Sequence, residues 1–267
     1  MKRLSFRSVF ISDVHLGLAD CQAGYLLDFL HSMQCENLFL VGDIIDLENM
    51  AKRPWWHASH TAIVSEILAI AARGTRVTYI PGNHDASLRR LAGQRIAGIE
   101  IALDAEHVGA DGRRYRISHG DEFDSASAAP AWLLKVGDML QGFICAMNRR
   151  CNWVLRRCGL HYRPLSILLK TRIGTALRFI RDFERRVAAS ARADGFDGHI
   201  CGHIHYARMH DDDGVLYLND GDWVEHCTTL VEHADGALEL LHWTEQRVTL
   251  ARGGAAAQTP LPLPAAA

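Results

Sequence analysis

No two of the seven cysteines, Cys21, Cys35, Cys145, Cys151, Cys158, Cys201 and Cys227, are spaced as a C-x-x-C pair, and their number is odd. That argues against a disulfide framework and reads as reduced thiols in a cytosolic protein. No uninterrupted apolar run reaches the roughly 18 residues that a bilayer crossing requires, so any membrane contact is expected to be peripheral. The opening stretch Met1-Lys-Arg-Leu-Ser-Phe-Arg7 carries charge but too short an apolar segment for a signal peptide, and it is read as mature sequence. A large charge excess of either sign is also missing: the net charge is -2 over 267 residues, which disfavours a general nucleic-acid binder. What the chain does have is apolar content, 48% of residues, enough for one large globular domain or a domain with an insertion.

The pattern is organised around Phe10-Ile-Ser-Asp-Val-His-Leu-Gly17, an apolar run that stops on Asp13 and His15. Residues two apart on an extended strand share a face, so these two side chains are expected to grip one ion together. Four more segments follow apolar runs in the same way: Gly42-Asp43, Gly82-Asn83-His84-Asp85, His119-Gly120-Asp121 and Gly202-His203-Ile204-His205. A strand over 7–12, a helix over 21–33 and a strand over 38–41 suggest a parallel βαβ unit, which places Asp43 beside Asp13 and His15 at the carboxyl ends of neighbouring strands.

Further along, Trp55-Trp56 leads into a helix that stops at Gly74, and Thr75 to Ile80 reads as a third strand. Paired tryptophans most often pack, with a wall for substrate as the other reading. Turns at Asp111-Gly112, Asp213-Gly214 and Asp235-Gly236 mark hairpins. Between residues 126 and 193 the spacing becomes helical, with Trp132, Val136, Met139, Leu140, Phe143 and Met147 on one face. The tail, 251–267, is rich in Ala and Pro and is expected to be disordered.

The five motifs, D-x-H, G-D, G-N-H-D, H and G-H-x-H in that order, resemble the calcineurin-like metallophosphoesterase superfamily from Asp13 to about Leu241. The resemblance implies an α/β fold, a four-layer αββα sandwich whose core is 1–125 and 194–250 with a helical cap inserted at 126–193. It implies two divalent ions. Asp43 would bridge them, with Asp13, His15 and His205 completing one and Asn83, His119 and His203 the other. Oxygen and imidazole donors without thiolate suit Mn²⁺ first, with Fe or Zn²⁺ as the other choices. A hydroxide held between the ions would attack phosphorus, with His84 stabilising the transition state or protonating the leaving group and Asp85 fixing its tautomer. Asp85, Asp121 and Asp124 read equally well as partners of the ligands or as caps. Nine further histidines, His57, His60, His107, His161, His199, His210, His226, His233 and His242, lie in no matching ligand spacing and are expected at the surface or in packing.

Within the superfamily, the cap and the ending Asn219-Asp-Gly-Asp-Trp-Val-Glu-His-Cys227 look like the UDP-2,3-diacylglucosamine diphosphatase group. That implies cleavage of a sugar-nucleotide pyrophosphate in lipid A synthesis, on the cytoplasmic side and with peripheral contact to the inner membrane. The apolar face of the cap would hold acyl chains, and Arg149, Arg150, Arg156, Arg157 and Lys170 would meet phosphates. A solvated basic face on an amphipathic helix pair is the plainer reading of those charges. The chain departs from that group at His84, where its best-characterised members carry Arg, and in Ile44-Ile-Asp-Leu-Glu-Asn-Met50. A phosphoesterase of other or broad specificity is therefore the second reading. A non-catalytic scaffold is the third, disfavoured because no ligand is missing. The sequence does not fix the oligomeric state.

Overall fold

The computed structural model describes residues 3–124 and 174–253 and, between them, residues 147, 150, 151, 154, 155, 157 and 158. Thirteen strands among the described residues form two sheets. The larger has eight strands in the order β13-β12-β11-β1-β2-β3-β5-β4, and the smaller has five, β6-β7-β8-β10-β9. In chain order these are β1 (Leu4–Ile11), β2 (Met33–Val41), β3 (Arg76–Ile80), β4 (Arg95–Ile96), β5 (Ile99–Ile101), β6 (Ala105–Val108), β7 (Arg114–Ile117), β8 (Gly198–Cys201), β9 (Arg208–Asp212), β10 (Val215–Asn219), β11 (Thr228–Glu232), β12 (Leu238–Trp243) and β13 (Arg247–Gly253). The helices are α1 (Ala23–Ser32), α2 (Leu47–Lys52), α3 (Ala58–Ala72) and α4 (Gly174–Ala193).

The parallel run β1-β2-β3-β5 is the element on which the rest is built. The carboxyl-terminal halves of β1, β2 and β3 are apolar on both sides because both faces are covered there. On one face, Leu26, Phe29 and Leu30 of α1 and Ile63, Ile67 and Ile70 of α3 pack against Val9, Ile11, Leu38 and Leu40. On the other, Phe10, Phe39, Val41 and Ile80 meet Tyr115, Ile117, Ile200 and Leu218 of the smaller sheet. The outer face of that sheet is covered by α4, whose Phe183 and Val187 pack with Cys201 and Tyr217 and whose Ala188 and Ala191 pack with Val215. The layers are thus helix, sheet, sheet, helix, as the resemblance implied.

Several boundaries differ from the sequence reading. β2 begins at Met33 rather than near Leu38, because Met33 to Cys35 pair with Leu4 to Phe6 although their side chains are not uniformly apolar. β13 pairs with β12 out to Gly253, so the first three residues of the expected tail are strand. α4 is a layer of the sandwich, which puts the last twenty residues of the expected cap, 174–193, in the core. The segment from Trp132 to Phe143, together with Arg149, Arg156 and Lys170, lies outside the described residues. Arg150 and Arg157 are described and exposed. Among the described residues no helix is long and apolar enough to cross a membrane.

Candidate metal centre

β1 ends at Ile11, and the chain then enters a loop in which Asp13 and His15 each take a left-handed backbone, at φ 51° in both cases. The strand alternation expected from the sequence is therefore not what brings the two side chains together. Asp43 (φ 53°), His203 (φ 69°) and His205 (φ 49°) share the same conformation. Among the described residues, five of the eight non-glycine residues with positive φ are thus positions the sequence nominated as ligands. Each costs about 1–2 kcal/mol relative to ordinary backbone, and such strain persists only where neighbours over-determine it.

The neighbours here are other motif loops. Asp13 N–H donates to Gly42 O at 3.0 Å, His15 N–H to Asp43 O at 2.9 Å and Leu16 N–H to Ile44 O at 2.9 Å, so the D-x-H and G-D loops continue the parallel pairing of β1 and β2. Gly202 N–H donates to His119 O at 3.1 Å, which joins the last two motifs. The glycines permit this approach. A Cβ on Gly42, itself at φ +86°, would stand 2.2 Å from His119 Nδ1, and one on Gly82 would stand 2.4 Å from Asp43 Oδ1.

Each carboxylate has one oxygen tied down and one turned inward. Asp13 Oδ2 accepts from Ser12 Oγ at 2.5 Å and from His203 N–H at 2.9 Å, while Oδ1 has no hydrogen-bond partner although buried. Asp43 Oδ1 accepts from His84 N–H at 2.8 Å, and its Oδ2 lies 3.3 Å from His119 Nε2 and 3.9 Å from His15 Nε2. The imidazoles follow the same rule. His119 Nδ1 donates to Val41 O at 2.9 Å and His15 Nδ1 to Asp46 Oδ2 at 3.0 Å, which leaves Nε2 of each as a lone pair directed into the cluster. His205 Nε2 stands 3.1 Å from Asp13 Oδ1 and 3.4 Å from His15 Nε2. His203 completes the edge, its ring 5.1 Å from that of His119 and its Nε2 3.0 Å from Asp124 Oδ1. Asn83 is exposed beside the cluster, with no hydrogen bond to its side chain among the described residues.

Among the described residues three overlapping donor sets result, Asp13, His15 and His205 in one, Asp13, Asp43 and His119 in another and His15, Asp46 and His84 in a third, the donor atoms of each within 4.8 Å of one another. Asp13 Oδ1 faces His205 Nε2 at 3.1 Å and His119 Nε2 faces Asp43 Oδ2 at 3.3 Å, buried contacts that need a shared proton or a cation among them. The electrostatics agree. Burial opposes ionisation of Asp13 and Asp43, yet the surrounding histidines hold both carboxyls below the usual range. Burial likewise disfavours a proton on His119, but Asp43 and Asp13 outweigh it and push the imidazole up to about 10. Carboxylates that pull a proton so strongly would hold a divalent cation, and the oxygen and nitrogen donors suit the metals named from the sequence.

The expected partner of His84 is corrected here. His84 Nδ1 lies 3.1 Å from Asp46 Oδ1, so Asp46, and not Asp85, fixes its tautomer. Burial works against a charged His84, but the bond to Asp46 and the nearby Asp43 raise it to about 9. Asp85 instead accepts from Gly82 N–H, Ile44 N–H, Ile45 N–H and Tyr79 Oη, stitching the G-N-H-D loop to the G-D loop. Asp121 pairs with Arg89 at 2.7 Å. Asp46 was missed because a carboxylate three residues past Asp43 has the look of a helix cap, and it is one, accepting from Asn49 N–H at 2.9 Å. Asp220 and Asp222 were visible only as part of a longer motif. Asp220 accepts from Ser12 Oγ at 2.6 Å, and Asp222 accepts from Val224 N–H and His226 N–H and lies 3.9 Å from His205 Nδ1.

A model of the calcineurin-like phosphoesterase family matches residues 6–207, which contain all five motifs. The chain belongs to that family. Among curated members, the UDP-2,3-diacylglucosamine hydrolase of Neisseria gonorrhoeae is 24% identical over 255 residues, covering 86% of this chain and 96% of that one. The enzyme of the same name from Aeromonas salmonicida is 26% identical over 239 residues, covering 84% and 89%. Among solved structures, the phosphoesterase Yfce from E. coli aligns at a TM-score of 0.46 with 12% identity, over 90% of this chain and 97% of that one. Vacuolar protein sorting 29 from Cryptosporidium parvum aligns at a TM-score of 0.47 with 11% identity, over 92% and 95%.

Proposed function

We propose that the chain is a dinuclear-metal phosphoesterase whose substrate is the pyrophosphate of UDP-2,3-diacylglucosamine or a similar lipid-linked phosphodiester. The observation that carries the reading is the convergence of Asp13, Asp43, His15, His119 and His205 in a chain that aligns along most of its length with two relatives of that name. Asp43 would bridge two divalent ions, Asp13, His15 and His205 would complete one, and Asn83, His119 and His203 the other. Such a pair of ions supplies a water of lowered pKa and neutralises charge on the phosphoryl oxygens. The chain's own residues do the rest. Asp46 holds Nδ1 of His84, which leaves Nε2, on a ring 28% exposed, as the atom that gives a proton to the leaving oxygen. Asp85 keeps His84 in place only indirectly, through the loop. Arg149, Arg150, Arg156, Arg157 and Lys170 remain the proposed contacts for substrate phosphates.

A second reading, hydrolysis of soluble phosphodiesters or monoesters, is favoured by His84 itself, a residue suited to poor leaving groups of many kinds. One experiment separates the two: purified protein with Mn²⁺, offered UDP-2,3-diacylglucosamine, a generic phosphodiester and a phosphomonoester side by side. Preference for the lipid by orders of magnitude in kcat/KM supports the first reading, and equal turnover of all three supports the second.

A further inference from the structure

The segment between β10 and β11, residues 220–227, is buried throughout although it is a loop and carries Asp220, Asp222 and Glu225. Polar groups kept out of water must find partners inside the protein. Much of this loop finds them on the loops that bear ligands. Asp220 N–H donates to Cys201 O at 3.1 Å, and Trp223 N–H donates to Asp13 O at 3.0 Å. Just before it, Asn219 Nδ2 donates to Gly202 O at 2.6 Å. Gly221, at φ +88°, allows the approach, since a Cβ there would stand 2.8 Å from the Cβ of Ala207, two residues past His205. The segment is thus fastened to both the D-x-H and the G-H-x-H loops, which supply Asp13, His15 and His205.

Within it, the two oxygens of Asp222 have separate surroundings. Oδ1 accepts from the backbone N–H groups of Val224 at 2.8 Å, Glu225 at 2.5 Å and His226 at 3.1 Å. That oxygen shapes the turn. Oδ2 accepts from His226 Nδ1 and stands 3.9 Å from Nδ1 of His205. The other nitrogen of His205, Nε2, faces Asp13 Oδ1 at 3.1 Å and His15 Nε2 at 3.4 Å. His205 therefore points the same way as His119 and His15, whose Nδ1 atoms donate to Val41 O and Asp46 while Nε2 turns to the cluster. A separation of 3.9 Å is longer than a hydrogen bond. An imidazole whose Nε2 lone pair goes to a cation becomes a stronger donor at Nδ1, which favours closing that gap.

We infer that Asp222 is the positioning residue of His205, its Oδ2 accepting the Nδ1 proton of that imidazole so that Nε2 is presented to a divalent cation. The role rests on the metal-site reading above, so the test measures the cation directly and uses no substrate. Zinc affinity of the full chain is measured by competition with a chelator. Asp222→Asn isolates the contact: its Oδ1 still accepts the three backbone N–H groups, which places an NH₂ where Oδ2 stood and sets a donor against His205 Nδ1. This variant is expected to bind its weaker zinc about 10- to 100-fold less tightly than wild type. His226→Asn keeps the acid and offers its amide as the donor to Oδ2, and it is expected to keep wild-type affinity. Circular dichroism reports the fold of both. A second measurement needs no variant: in the zinc-loaded wild type with ¹⁵N-labelled histidine, the His205 ring, assigned from its backbone, is expected to carry zinc on Nε2 and a slowly exchanging proton on Nδ1. Zinc on Nδ1, or an Nδ1 proton that exchanges as in free histidine, overturns the proposal whether or not the variants fold. Unchanged affinity in a folded Asp222→Asn overturns it as well, and so does an equal loss in His226→Asn, which would mean that the effect travels through the shape of the turn. A wild type that takes up no zinc overturns the metal reading and this role together, whereas the other adverse results leave the metal reading standing.

Discussion

Two carboxylates in neighbouring loops, Asp46 and Asp85, divide the work of holding the centre. Asp46 touches imidazoles: His15 at 3.0 Å and His84 at 3.1 Å. Asp85 touches backbone and a phenol, and none of its hydrogen bonds reaches an imidazole. Asp46→Asn should therefore lower kcat by roughly 10- to 100-fold, the usual cost of losing a ligand's supporting partner, and should also lower stability, since Asp46 is buried and caps α2. Asp85→Asn should leave kcat nearly unchanged and cost about 1–3 kcal/mol of stability, as the hydrogen bonds that converge on its buried carboxyl are weakened. Urea denaturation and steady-state kinetics on both variants decide between them, and a kinetic defect confined to Asp85→Asn would restore it as the partner of His84. Asp43→Ala is expected to abolish hydrolysis of every substrate and to lower bound metal, because a bridging carboxylate serves both ions. Metal analysis beside the assay checks it, and normal turnover would sink the two-metal proposal. His84→Ala should keep its metal and lose roughly 10² to 10⁴ in rate, less with a good leaving group. Loss of metal in that variant would make His84 a ligand instead.

At the scale of elements, the chain's motifs told where the loops end but not how they are shaped. Apolar runs announced β1, β3 and β8, and Asp213 at φ 50° with Gly214 at φ 86° forms the tight hairpin turn that its dipeptide suggests. The left-handed turns at Asp13, His15, Asp43, His203 and His205 were not legible, since nothing local favours them and the backbone pairing between distant motifs imposes them. The extent of β2 was hidden for a related reason: Gln34 and Glu36 break the apolar pattern, yet β1 supplies their backbone partners. α4 was legible as an amphipathic helix, but only its burial against Cys201, Tyr217 and Val215 shows that it belongs to the core. The glycines of the motifs are where element geometry and site meet. Gly82→Ala would drive a methyl into Asp43 Oδ1 and the His119 ring, so its metal affinity should fall by an order of magnitude or more, a loss read by competition with a chelator. Wild-type affinity in that variant would mean the two loops can part without cost to the centre.

Across the whole molecule, the two sheets are joined by a buried polar cluster remote from the metal centre. Glu232 of β11 accepts from Ser8 Oγ at 2.8 Å and from Arg7 Nη1 at 2.8 Å in its own sheet. From the smaller sheet it meets His107 Nε2 of β6 at 2.7 Å and Ala110 N–H at 2.8 Å. Burial alone would raise this carboxyl, but His107, the Ala110 N–H and Ser8 together pull it down to about 2. The unfolded chain, with a glutamate near 4.5, binds the proton more readily than the folded one, so acid favours unfolding. The stabilisation is complete above about pH 4.5 and is lost as the pH falls through about 2. Glu232→Gln cannot titrate, so the stability gap between wild type and variant should narrow by about 1 kcal/mol between pH 7 and pH 4. Both proteins carry the same centre, so the other depressed carboxylates, Asp43 and Asp46 among them, cancel in the difference. Urea denaturation at the two pH values measures it. A gap that stays constant would mean that Glu232 joins the sheets through shape and neutral hydrogen bonds, and that its charge contributes nothing to their union.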